Sequence, residues 1–147
     1  MNKWEEQLDR SILLVEDNAD DEMLIVRAIR KGQIANRIDV AHDGKEALDF
    51  LLDARGRIRW ENVPQVVLLD LKLPKISGLE VLERIRQVPE LCTLPVVVLT
   101  SSDEERDIVQ SYNLGANSYV KKPVDTTEFT RAITEMGLYW LIINRTV

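Results

Sequence analysis

The chain has 147 residues, of which 45% are hydrophobic and 30% charged, and its formal net charge is −6. This length and composition suit one self-folding domain of about 100 to 150 residues, which we expect to span residues 1–147. The negative charge argues against a nucleic-acid partner, and without a signal peptide or an apolar run of ~20 residues we expect a cytoplasmic protein with no membrane partner.

Short runs rich in β-branched residues alternate with amphipathic stretches along the chain. Strands are predicted at residues 11–15, 37–41, 65–70, 95–100 and 117–121. Helices are predicted at residues 20–31, 44–54, 78–87, 103–114 and 126–143. This alternation predicts an α/β fold, in which five helices cover both faces of a doubly wound five-stranded parallel sheet. The second strand alternates polar and apolar residues, so we place it at an edge of the sheet.

Two segments of the chain, a long connection and an extended last helix, are longer than this fold requires. The connection DARGRIRWENVP, at about residues 53–64, mixes charges with Trp60 and is predicted to be a surface insertion. The end of the extended last helix is apolar nearly all round, which one face of a sheet cannot cover. We therefore expect a homodimer in which a partner surface covers this helix end. The alternative is that residues 138–147 fold back over their own domain.

Reactive side chains follow four of the five predicted strands, namely Glu16, Asp17, Asp70, Thr100 and Lys122. Functional groups of open α/β sheets gather at the carboxyl ends of the strands, so we expect these side chains to lie together. Two unit charges ~4 Å apart repel by about 4 kcal/mol at an effective dielectric constant of 20, so three carboxylates require a cation. Oxygen ligands without histidine or cysteine favour Mg²⁺.

Four stretches resemble the receiver domain of two-component response regulators. They are LLVEDNADDE (13–22), VVLLDLKLPKISGLEVL (66–82), VVLTSS (97–102) and LGANSYVKKP (114–123). The spacing also agrees, because Thr100 lies thirty residues after Asp70 and Lys122 lies twenty-two after Thr100. The resemblance covers nearly the whole chain and implies a flavodoxin-like fold.

The resemblance implies a role for each acidic residue of the predicted site. Asp70 is expected to be the phosphoacceptor and a metal ligand. Glu16 and Asp17 are expected to hold Mg²⁺ directly or through water, with the backbone carbonyl of Lys72 as a further ligand. Glu16 stands where the family often has aspartate, and its longer side chain is expected to reach the metal through water.

The remaining motif residues are expected to switch the domain. The resemblance implies that the face formed by helix four, strand five and helix five is the output, and we expect the homodimer to pair through this face. Lys122 pairs with Asp70 and then with a phosphoryl oxygen, Thr100 moves to hydrogen-bond the phosphoryl group, and Tyr119 rotates inward behind it. Lys121 is the rival for the lysine role, and the spacing favours Lys122. The Lys122–Pro123 peptide bond is often cis in the family.

The resemblance predicts a single-domain response regulator that takes a phosphoryl group from a sensor histidine kinase in a phosphorelay. The insertion and the tail GLYWLIIN (137–144) resemble small regulators that partner bacterial phytochrome kinases. The protein is then not an enzyme beyond its own phosphorylation and dephosphorylation. A constitutive docking module is the second hypothesis, and the complete set of site residues argues against it. A phosphatase of the haloacid dehalogenase type would need a second acid where Lys72 stands.

Overall fold

Residues 10–101 and 105–135, which the computed structural model describes, form one five-stranded parallel sheet with helices on both faces. The strands are β1 (Ile12–Val15), β2 (Ile38–Ala41), β3 (Val66–Asp70), β4 (Val96–Thr100) and β5 (Ser118–Lys121). Their order is β2-β1-β3-β4-β5, which confirms the predicted doubly wound sheet with β2 at an edge. The side chains of β1, β3 and β4 are buried throughout, because these inner strands are covered on both faces.

Five helices alternate with these strands. They are α1 (Ala19–Lys31), α2 (Gly44–Leu51), α3 (Gly78–Gln87), α4 (Glu105–Asn113) and α5 (Thr126–Glu135). Side chains of Asn18, Asp43 and Ser77 cap the first three helices by accepting a hydrogen bond from a backbone amide three residues later. No helix among the described residues is long and apolar enough to cross a bilayer.

The second helix ends three residues before its predicted boundary at residue 54. Leu52 leaves the helix to form an isolated antiparallel bridge with Ile58, and the Arg59 amide donates to the Leu51 carbonyl at 2.8 Å. The insertion continues with a 3-10 turn at Trp60–Asn62, in which Trp60 is 60% exposed. Most of the insertion lies at the surface, as predicted.

Two apolar layers cover the sheet. One is built from α1 and α5, which bury Ile25, Ile29, Phe129 and Ile133. The other is built from the inner sides of α2 and α3 and extends to the loop before β5. Residues 136–143 of the predicted last helix lie outside the described residues.

Arg86 of α3 joins two neighbouring segments, the turn at Leu91 and the loop before β5. Its guanidinium donates to the Gly115 carbonyl at 2.8 and 3.1 Å and to the Leu91 carbonyl at 2.9 Å. A further bond at 3.1 Å reaches Asn117 Oδ1, which also accepts from the Val96 amide. Arg86 therefore fixes the loop before β5 against α3.

We expect Arg86→Lys to lower the free energy of unfolding by about 1 to 3 kcal/mol, because a lysine cannot reach these acceptors in the same forked geometry. Urea denaturation at neutral pH measures the loss. Arg84→Lys on the same helix is the matched control, since Arg84 is 53% exposed and lies 4.0 Å from Glu80. Equal stabilities of the two variants would contradict this account of Arg86.

Candidate functional site

The carboxyl ends of β1 and β3 bring three carboxylates together. Val15 pairs with Leu69, so Glu16 and Asp17 follow β1 at the level where Asp70 ends β3. Carboxylate oxygens of Glu16, Asp17 and Asp70 lie within 4.8 Å of one another, and within the described part of the chain this is the group suited to hold a metal ion. Glu16 and Asp70 are buried, whereas Asp17 is exposed and gives the cluster an open side.

Lys122 lies against this cluster from the end of β5. Its Nζ is 3.1 Å from Asp70 Oδ2, 3.1 Å from Asp21 Oδ2 and in contact with Glu16 Oε1. The Lys122 amide donates to the Thr100 carbonyl at 2.9 Å, and the Lys122–Pro123 peptide bond is cis. This geometry favours Lys122 over Lys121, which is exposed.

The other predicted residues lie around the same sheet edge. Thr100 is fully buried at the end of β4 and pairs with Lys121 in the strand register. The Lys72 amide donates to Asp70 Oδ1 at 3.1 Å, which orients the carboxylate. Tyr119 is half-buried on β5, and its ring meets that of Tyr112 edge to face with centroids 6.4 Å apart.

Asp21 belongs to this site, although it is not among the residues predicted from the sequence. It lies in the first turn of α1, where the Asn18 side chain accepts from its amide at 2.9 Å. Its place in the first helical turn after the acidic pair, three residues beyond the Asn18 cap, was the available signal. Contact with Lys122 depends on how α1 is rotated, which spacing alone does not determine.

Burial and the neighbouring charges set the protonation of the site. Burial raises the pKa of Glu16 to about 7; Lys122 opposes the rise, and Asp70 adds to it. Burial alone would lower the pKa of Lys122, but hydrogen bonds to Glu16, Asp21 and Asp70 raise it above its ordinary value. Lys122 is therefore protonated and supplies the positive charge beside the three carboxyl groups.

The raised pKa of Glu16 predicts a pH-dependent stability in metal-free buffer. Unfolded Glu16 ionises near its ordinary value of 4.5, so the folded state holds the extra proton up to about pH 7. Stability contributed by this proton is present at low pH and is lost as the pH rises through that window. Glu16→Gln stays neutral, and its stability relative to wild type is expected to be higher at pH 8 than at pH 5 by about 1 to 2 kcal/mol.

Thermal unfolding in EDTA at the two pH values measures this difference. Glu83→Gln, which alters an exposed glutamate of α3, is the control for loss of one negative charge. If the difference in stability between Glu16→Gln and wild type were the same at pH 5 and pH 8, the burial of a titrating carboxyl would be disproved.

The donor set fits a divalent cation. It consists of carboxylate oxygens that converge from two strand ends, and hard oxygen donors are the preferred ligands of small divalent ions. A cation here would remove the repulsion among three acidic groups that share one ammonium. The site is therefore suited to hold a divalent cation beside Asp70.

Comparison with known proteins identifies relatives of this fold and site. Residues 12–134 match the family described as the response regulator receiver domain. The probable methanogenesis regulatory protein FilR2 of Methanothrix harundinacea is 44% identical over 134 residues, which cover 91% of this chain and 85% of that protein.

Solved structures agree with these matches. The bacteriophytochrome response regulator AtBRR is 48% identical with a TM-score of 0.78, and the alignment covers 92% of this chain and 98% of that chain. The Mn(2+)-bound form of response regulator Rcp1 is 36% identical with a TM-score of 0.69, covering 94% and 96%. This chain therefore belongs to the family of response regulator receiver domains of two-component signalling, and its relatives include a phytochrome response regulator.

Proposed function

We propose that this protein is a stand-alone, single-domain response regulator that accepts a phosphoryl group on Asp70 from a sensor histidine kinase. The observation that carries the proposal is the setting of Asp70. Its carboxylate is buried at the end of a central strand, contacts the Lys122 ammonium, and lies within 4.8 Å of the Glu16 and Asp17 oxygens. A rigid carboxylate with a cation site beside it provides the positioning and charge neutralisation that phosphoryl transfer requires.

The chain's own residues prepare Asp70 as a nucleophile. The Lys72 amide holds Oδ1 and the Lys122 ammonium holds Oδ2, so the carboxylate cannot rotate freely. An Asp70 oxygen forms the new bond to phosphorus while the bond from phosphorus to the kinase histidine nitrogen breaks and the imidazole leaves. Lys122 then donates to a phosphoryl oxygen.

Mg²⁺ is the proposed cation. Glu16, Asp17, Asp70 and the Lys72 carbonyl would hold it, and it would neutralise charge on the phosphoryl oxygens during transfer. The oxygen donor set of this chain supports a divalent ion, and the relative Rcp1 has a Mn(2+)-bound form.

Thr100 and Tyr119 are the proposed switch. Thr100 would turn toward the phosphoryl group, and Tyr119 would fill the space behind it. Tyr119 already contacts Tyr112 of α4 edge to face, so its rotation would alter the surface formed by α4, β5 and α5. We assign the output of the regulator to this face.

The partner is proposed to be a phytochrome-type histidine kinase in the cytoplasm, on the strength of the similarity to AtBRR. The protein would then catalyse only its own phosphorylation and dephosphorylation, as one step of a phosphorelay.

Incubation with acetyl phosphate, followed by intact-mass measurement, tests the function. We expect one acid-labile phosphoryl group per chain with Mg²⁺ and none in EDTA. No uptake from acetyl phosphate or from an active phytochrome-type kinase, together with tight binding to that kinase, would instead establish the constitutive docking module.

We further propose a homodimer through α4, β5 and α5, since Tyr112 on this face is 45% exposed. The apolar residues Leu138, Tyr139, Leu141, Ile142 and Ile143, which also favour a partner surface, lie outside the described residues. Two-fold pairing would cover the same face on both copies.

Sedimentation equilibrium at micromolar concentrations is expected to detect a dimer that Tyr112→Glu weakens by at least about tenfold. Met23→Glu, on an equally exposed apolar residue of α1, is the matched control. A monomer at every concentration, with and without phosphorylation, would rule out the dimer.

A further inference from the structure

Lys122 has three carboxylate partners, one for each N–H of its ammonium. Two of them, Glu16 and Asp70, belong to the cluster suited to a metal ion. The third, Asp21, comes from α1 and binds the ammonium through Oδ2 at 3.1 Å. The Lys122 side chain is 11% exposed, whereas that of Asp21 is 38% exposed.

These partners are not equivalent once the site is in use. A cation held by Glu16 and Asp70 would compete with the lysine for their oxygens, and a phosphoryl group would occupy an oxygen of Asp70. Asp21 lies outside the cluster of potential metal ligands in the described residues, so its carboxylate stays available to the ammonium. The α1 N-terminus fixes Asp21, because the Asn18 cap accepts from the Asp21 amide.

We infer that Asp21 is a positioning residue that holds the Lys122 ammonium beside Asp70 while the metal and the phosphoryl group engage the other two carboxylates. This inference rests on the proposed phosphoryl transfer to Asp70. Without Asp21, Lys122 loses the one carboxylate partner that neither the metal nor the phosphoryl group would engage. The Lys122 ammonium is then less well placed to face the transferred phosphoryl group.

The rate of phosphoryl uptake from acetyl phosphate at saturating Mg²⁺ tests this role. Asp21→Ala is expected to react about tenfold more slowly than wild type, and Asp21→Asn by a smaller factor, because the amide oxygen still accepts a hydrogen bond. Asp20→Ala is the matched control, since it removes the same charge from the same helical turn and Asp20 is exposed. Its rate is expected to stay within about twofold of wild type.

Three further measurements separate positioning from general charge. Mg²⁺ affinity is expected to change by the same small factor in Asp21→Ala and Asp20→Ala. In a Lys122→Ala background, Asp21→Ala is expected to cause no further loss of rate, because it acts through the lysine. In metal-free protein, the side-chain NMR signals of Lys122 are expected to shift in Asp21→Ala and to stay in place in Asp20→Ala.

Equal rates and equal Lys122 signals in Asp21→Ala and Asp20→Ala would overturn the inference while leaving phosphoryl uptake by wild type intact. If wild type took up no phosphoryl group, the proposed function would fail. The Lys122 signals would then still decide whether Asp21 positions the lysine.

Discussion

Asp70→Asn is expected to lower phosphoryl uptake from acetyl phosphate at least about 100-fold, because a neutral amide oxygen is a far weaker nucleophile than a carboxylate. The fold is expected to persist, since asparagine has the same shape and its oxygen can still accept from the Lys72 amide. Intact-mass spectra recorded over time with saturating Mg²⁺ measure the uptake.

Asp49→Asn is the control for this experiment, because Asp49 is an exposed aspartate that pairs with Lys45 on the surface of α2. It should take up phosphate at the wild-type rate. Uptake by Asp70→Asn at that same rate would move the acceptor to another residue, and peptide mapping of the modified chain would identify it.

Gly78→Ala is expected to destabilise the protein by at least about 3 kcal/mol. A Cβ at this position would lie 2.2 Å from the Asp70 carbonyl oxygen and 2.6 Å from the Leu71 Cα, both in the backbone. The absence of a side chain therefore allows α3 to begin against the end of β3, where the Gly78 amide donates to the Leu71 carbonyl at 3.1 Å.

Urea denaturation of Gly32→Ala supplies the comparison. At Gly32 the nearest atoms to an added Cβ are 3.4 Å away, and the backbone φ of −76° suits any residue. This variant should stay within about 1 kcal/mol of wild type. A Gly78→Ala protein as stable as wild type would show that α3 can shift without lowering the free energy of unfolding. A variant that does not fold at all agrees with the prediction.

The sheet could be predicted from the sequence because its inner strands are uninterrupted runs of apolar residues. Such runs are buried completely only in a sheet that has helices on both faces. The stretches at residues 66–70 and 96–100 are buried throughout, and each ends in the polar residue that was assigned to the site. The rule that polar groups gather at strand ends then placed Glu16, Asp17 and Asp70 together, and the structure brings them within 4.8 Å.

Contacts that depend on the rotation or the exact end of a helix could not be predicted. The approach of Asp21 to Lys122 requires the orientation of α1 that buries Ile25 and Ile29 against the sheet. The early end of α2 depends on the pairing of Leu52, just before the insertion, with Ile58 inside it. The roles of Thr100 and Tyr119 stay predictions, because they concern a phosphorylated state. The role of the Lys72 carbonyl also stays a prediction, because it concerns a bound metal ion.

The strand order has a consequence for the folding pathway of the chain. Every neighbouring pair is parallel, and Ile12 pairs with Val66, fifty-four residues further along (66 − 12). No part of this sheet can therefore start as a local hairpin, and folding through such distant pairings is slow relative to helical proteins of the same size. During synthesis, β3 lacks its second neighbour until residues 96–100 have left the ribosome. A nascent chain that stalls before this point would expose the hydrogen-bonding edge of β3, whose first four residues are apolar, so chaperone capture is expected to be greatest at these intermediate lengths.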